Sequence, residues 1–124
     1  MPWIVRFGQE FDQEFRAIEE DTQDALLAAV NVLETYGPEL GRPFVDTLKG
    51  SKYPNMKELR FAASDGAWRV AFAFDPSRQA ILLVAGDKAG VSQSRFYRSL
   101  IAKADQRYGA HLKRMRETLI NRGR

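Results

Sequence analysis

The hydropathy pattern of this chain predicts an α+β domain in the order β-α-α-β-β-β-α, with an antiparallel sheet of three to four strands, two N-terminal helices and a long C-terminal helix. Three observations carry that expectation. Apolar residues recur at helical spacing through residues 11–36 and again from Ser92 onward. Between them lie three segments that alternate at period two or run continuously apolar, as strands do. Short turn-forming sequences, ASDG at 63–66 and DPSRQ at 75–79, join those segments at hairpin length.

Taken in order, WIVRF (residues 3–7) is a short strand. Phe11, Phe15 and Ile18 then share one helical face, and Leu26, Leu27, Val30, Leu33 and Tyr36 form a second set. Asp21 is a suitable N-cap for that second helix, and Gly37-Pro38 closes it. GPELGRPFVDTLKGSKYPN, rich in glycine and proline, reads as an ordered surface loop. MKELRFAA, AWRVAFAF and AILLVAG form a meander, and from Ser92 a helix carries Tyr97, Leu100, Ile101, Ala104, Tyr108, Leu112, Met115 and Leu119 on one stripe. At 124 residues and 44% hydrophobic, the expectation is a single domain over residues 1–124.

Composition narrows the chemistry. There is no cysteine and only one histidine, His111, so thiolate or multi-histidine metal sites are excluded, and the expectation is no metal and no cofactor. No segment resembles a membrane span or an export signal, which points to the cytoplasm. Charge is polarised: residues 1–47 hold three Lys/Arg against ten Asp/Glu, a net −7, whereas residues 88–124 hold ten against two, a net +8. Such a basic end suits a polyanion, because Lys and Arg neutralise phosphates and release their counterions. A solvated helix face explains the same composition equally well.

The strand AWRVAFAF sorts Trp68, Val70, Phe72 and Phe74 to one face and Arg69, Ala71 and Ala73 to the other. The large set suits a core; the small set predicts a shallow open platform with a guanidinium in its middle. Arg60 falls on that same face if neighbouring strands pair in register. Lys57 is out of phase and reaches the face only from a frayed strand start. Lys88 follows the last strand, and Arg95, Tyr97 and Arg98 open the long helix near the same sheet end. Arginine, lysine and tyrosine without a triad or paired carboxylates suit binding of a phosphodiester and stabilisation of its extra transition-state charge. RNA fits this set because its 2′-hydroxyl is a built-in nucleophile. Lys49 and Lys52, with Arg95 and Arg98, are candidate phosphate contacts beside it. Tyr97 also lies on the apolar stripe, Trp3 and Trp68 read as core residues, and His111, well into the last helix, reads as non-catalytic.

The succession LKGSKYPNMKELRF, GAWRVAFAF, ILLVAGDKAG and FYRSLIAKADQR resembles the RelE/ParE toxin superfamily, most closely its HigB-like, phage-derived branch. The resemblance covers about residues 11–107, and its most specific parts are Glu-Leu-Arg, Trp-Arg-Val and the lysine preceding the final helix. It implies a toxin of a type II toxin–antitoxin pair that cleaves mRNA in the ribosomal decoding site. The implied partner is a small antitoxin, commonly a helix-turn-helix protein. On this pattern Arg69 matches the arginine that contacts the scissile phosphate, Arg60 belongs to the same basic pocket, Lys88 matches the basic residue ending the last strand, and Tyr97 matches a tyrosine that orients the cleaved nucleotide. Lys88 or Lys57 would serve in proton transfer or charge neutralisation. Two positions depart from the pattern by removing positive charge: Asp87, where relatives carry a base, and Glu58, where some carry a lysine. Two other readings stand beside the nuclease: a ParE-like poison of DNA gyrase and an inactive relative that only binds antitoxin or nucleic acid.

Overall fold

A computed structural model describes residues 2–122. Strand β1 (Val5–Phe7) leads into helices α1 (Gln9–Arg16) and α2 (Glu20–Tyr36), followed by β2 (Val45–Thr47), β3 (Met56–Ala63), β4 (Gly66–Phe74), β5 (Ala80–Asp87) and α3 (Gln93–Arg122). The sheet has five strands in the order β1-β5-β4-β3-β2, with β1 parallel to β5 and the other pairs antiparallel. The meander is therefore as expected, and the sheet is larger and mixed. The α1–α2 segment carries the chain from one sheet edge to the other, so β1 can lie parallel to β5 without a hairpin. The segment read as a loop contains β2, whose three residues pair with Lys57–Leu59. A strand that short, set among glycines and prolines, has too few residues to show alternation. Helix α2 begins one residue before Asp21, which sits in its first turn instead of capping it.

Both sheet faces are covered. Phe11, Leu26, Val30 and Leu33 from α1 and α2 pack against Leu59, Val70, Phe72 and Leu82. On the other face, Leu100, Ala104 and Tyr108 of α3 pack on Ala71, Ala73, Ile81 and Leu83. The small residues of β4 thus form no platform: Ala71 and Ala73 are both 0% exposed, because small side chains let the helix axis come close to the sheet. Gly86 does the same at the start of α3, where an added Cβ would lie 2.9 Å from the Phe96 ring. The apolar stripe of α3 is buried through Tyr108 and fades toward the end of the helix, Leu119 being 66% exposed.

The continuously apolar β5 follows from burial on both faces together with a register shift. Ala71 pairs with Val84 and Phe72 with Leu82, so Leu83 has no partner across the ladder and joins Val84 on the α3 side. Arg107 donates to the Leu83 carbonyl at 2.8 Å and forks onto both oxygens of Glu14, tying α3 to α1. That hydrogen bond to Arg107 holds the Glu14 carboxyl below its ordinary range. Between the depressed and the ordinary value the unfolded chain binds more protons, so stability rises with pH there and is lost as pH falls through the folded-state value. Glu14→Gln should lower stability at neutral pH by about 0.5–1 kcal/mol, since the Glu14 side chain is half exposed and its charge is screened by water. Urea titrations along a pH series should show that difference vanish in acid.

Candidate functional site at the open end of the sheet

Where α3 begins, the strand arginines lie on the α3 face of the sheet, part-buried beneath the first turns of that helix. Arg60 on β3 and Arg69 on β4 are directly paired in the ladder, with Gly86 of β5 opposite Arg69 on its other side. Two like charges so placed would repel. Glu58 lies between them. Its side chain is only 4% exposed, with Arg60 Nη2 at 3.0 Å from Oε2 and Arg69 Nε at 3.5 Å from Oε1. The Tyr97 hydroxyl, from the first turns of α3, donates to Oε1 at 2.8 Å. Asp46 of β2 accepts from Arg60 at 3.3 Å and from Arg42 at 2.8 Å. Arg69 also donates to the Trp68 carbonyl at 2.9 Å, which fixes the plane of its guanidinium.

The electrostatics follow from these contacts. A carboxylate this enclosed needs cationic or hydrogen-bonding partners, since removing a charge from water is costly. The hydrogen bond to Glu58 holds the Arg60 proton more firmly than usual. Burial, then the bond to Glu58, raises the Tyr97 hydroxyl above its ordinary value, with Arg69 opposing. Tyr97 therefore stays protonated near neutrality and acts as a donor. Asp46 is held below its usual range, chiefly by Arg42. Among the described residues no group of three or more His, Cys, Asp or Glu side chains is placed to share a metal ion.

Arg60, Arg69 and Tyr97 come together; the other candidate positions divide. Lys57 does not join them. It sits within a formed strand, paired with Phe72 and Thr47, and by alternation shares the α1–α2 face with Leu59. Lys88 lies one residue beyond β5, half-buried, its backbone N–H bound to the carbonyl of Ala67, two residues before Arg69 on β4. Arg95 and Arg98 are exposed in the first turns of α3, on either side of Tyr97 in sequence. Lys49 and Lys52 are exposed in the β2–β3 connection. That connection is pinned to α3 through Asp105, which accepts from the Ser51 hydroxyl and the Lys52 N–H. Asp105 is roughly 12 Å along the helix from Tyr97 at 1.5 Å per residue, so these lysines flank α3 and stay outside the arginine cluster.

Three further positions are clarified. Asp87 is opposite Trp68 and lines a depression with Ile18, Glu19 and Thr22, on the α1–α2 side of the sheet. Its carboxylate accepts from the N–H groups of Ala67 and Ala89, both at 2.9 Å. It is a turn clamp rather than a lost basic residue of the pocket. Asp87→Lys should accordingly cost about 1–2 kcal/mol through two unmade charge-assisted bonds and leave any activity of the arginine cluster unimproved, which paired melting and activity measurements would check. His111 is bound at 2.9 Å to the buried Asp75, beyond the far end of β4. Trp3 packs edge-on to Phe74 and Trp68 stacks on Phe61, but both rings are only part-buried at the border of the core.

Asp46 lies on β2 and Arg42 just before it, and a three-residue strand shows no alternation that would set them beside Arg60 in the sequence. Glu58 stands out in the sequence only as an acid in place of a lysine. The shared strand phase of Glu58 and Arg60, two residues apart, was the available signal that this acid faces the arginines.

The fold and site define a small RelE-like protein with an arginine pair and a helix tyrosine at one end of its sheet. The E. coli toxin RelE, solved in the free state as a double arginine-to-alanine mutant, superposes with a TM-score of 0.60 over 83% of this chain and 97% of that one. At 13% identity that likeness is one of fold. The chain belongs to the family described as phage-derived protein Gp49-like, whose model matches residues 13–109. Two relatives from Mycobacterium tuberculosis (strain ATCC 25618 / H37Rv), both named as candidate toxins, are similar to it. HigB2 is 44% identical over 102 residues, 82% of this chain, and HigB3 is 50% identical over 93 residues, 75% of this chain. The aligned segment spans 50% of HigB2 and 79% of HigB3.

Proposed function

We propose that this chain is the toxin of a type II toxin–antitoxin pair, a single toxin domain over residues 1–124 that cleaves ribosome-bound mRNA and so stops translation. The observation that carries the reading is the side-by-side placement of Arg60 and Arg69 on paired strands with the Tyr97 hydroxyl converging on the same point. Two guanidiniums can grip the non-bridging oxygens of one phosphodiester and stabilise the added charge as the 2′-hydroxyl attacks. In this reaction the 2′-oxygen forms a bond to phosphorus, the 5′-oxygen leaves, and a cyclic phosphate remains on the upstream fragment. No metal or other cofactor is required.

In this reading Arg69 and Arg60 hold the phosphate, Lys88 serves in proton transfer or charge neutralisation, and Tyr97 orients the nucleotide through its hydroxyl. Arg95 and Arg98 extend the contact to neighbouring phosphates, and Lys49 and Lys52 provide a further basic rim along α3. The proposed partners are mRNA on the ribosome and a small helix-turn-helix antitoxin, and the proposed setting is the cytoplasm. No described helix is long and apolar enough to cross a membrane. Mapping transcript ends after induced expression tests the reading: new ends within codons support it, whereas intact transcripts with trapped gyrase–DNA complexes would replace it by the gyrase reading.

A further inference from the structure

Glu58 makes the candidate pocket unusual for a phosphate site, because its cations are already engaged by an acid of the same chain. Its two oxygens receive Arg60 and Tyr97 and stand next to Arg69. A carboxylate and a phosphate compete for the same guanidinium fork. Yet the carboxylate leaves the pair incompletely satisfied. The Nε–H groups of both Arg60 and Arg69 are buried without a hydrogen-bond partner. Buried donors without an acceptor each cost about 1–3 kcal/mol. These two donors sit on paired residues of adjacent strands, Arg69 Nε standing 3.5 Å from Glu58 Oε1, and lack acceptors that a tetrahedral anion with more oxygens could supply. Asp46 offers Arg60 a second acid partner at 3.3 Å, so this guanidinium has a hold from which to turn away from Glu58.

We propose that Glu58 is an internal counterion occupying the place of the substrate phosphate, and that an RNA phosphodiester binds by displacing it from Arg60 and Arg69. The inference rests on the proposed RNA-cleaving function and deepens it: Glu58 is a positioning residue that holds the arginines in register while the site is empty and sets how strong an anion must be to enter. A single weak anion leaves the pair closed. A nucleic-acid strand, held also by the basic residues along α3, opens it.

The test uses a short single-stranded RNA made uncleavable by a 2′-deoxy linkage, titrated into wild-type, Glu58→Gln and Arg69→Ala proteins. Glu58→Gln should bind the RNA about fivefold more tightly, and inorganic phosphate should compete with it at lower concentration than in the wild type, because phosphate oxygens no longer have to displace a carboxylate from the guanidiniums. A merely structural role for Glu58 would move neither quantity in that direction. In the wild-type protein the Nε–H resonances of Arg60 and Arg69 should shift as RNA is added, a readout that holds even if Glu58→Gln fails to fold. Loss of binding in Arg69→Ala with no gain in a folded Glu58→Gln, or RNA binding that leaves both resonances unmoved, would overturn the counterion role alone. Equal binding by wild type and Arg69→Ala would remove both this inference and the RNA reading beneath it.

Discussion

Arg69→Ala should abolish the growth arrest caused by induced expression while leaving the protein folded. Loss of one preorganised donor to a transition-state charge costs about 10²–10³-fold in rate, and Arg69 is the better enclosed of the two ladder arginines, 13% exposed against 31% for Arg60. The fold should survive because Glu58 keeps its contacts to Arg60 and Tyr97. A stability loss within about 1–2 kcal/mol is expected for one charge-assisted contact. Arg69→Lys keeps the charge and loses the planar fork, so it should recover only part of the activity. Growth assays with matched expression, together with melting curves, separate loss of chemistry from loss of fold. A folded Arg69→Ala protein that still arrests growth would remove Arg69 from the mechanism.

Phe72→Ala should have the largest effect on stability. Phe72 is fully buried on the same strand as Arg69, in the cluster with Phe11, Leu26, Leu33, Leu59 and Leu82, and its ring meets Phe74 at 5.7 Å. Truncating a core phenylalanine costs about 3–5 kcal/mol, the lost transfer energy plus the cavity left behind. Against a total of about 5–15 kcal/mol for a natural domain, that loss would lower soluble yield as well as the urea midpoint. Leu119→Ala on the exposed end of α3 should change stability by about 0.5 kcal/mol or less. Activity lost in Phe72→Ala would track unfolding, unlike activity lost in Arg69→Ala.

The strands that hold the site were legible because each of β3, β4 and β5 is eight or nine residues long, enough to display its pattern. The phase of β4 placed Val70 and Phe72 in one core and Arg69 on the opposite face, and the structure agrees. What alternation could not reveal is what covers a face. Ala71 and Ala73 looked like an open platform, but small residues on a sheet also serve as the bed of a closely packed helix, and α3 lies on them. Parallel pairing of β1 with β5 depends on the route of α1 and α2 across the sheet, a tertiary property. Asp87 shows the same limit at the level of a residue. Its family position suggested a weakened pocket, whereas the ladder turns its carboxylate to the other side, onto two backbone N–H groups. Glu58 carries the opposite lesson, since its strand phase already put it with Arg60.

The proposed task of the Arg60–Arg69 pair is to hold the mRNA phosphodiester that is cut. Mapping of transcript 5′ ends, within minutes of inducing wild-type or Arg69→Ala protein at equal levels, tests it most directly. New ends within coding sequences in the wild type, absent with Arg69→Ala, are the expected result. Growth arrest by the wild type with transcripts left intact, or the same ends produced by a folded Arg69→Ala protein, would contradict it.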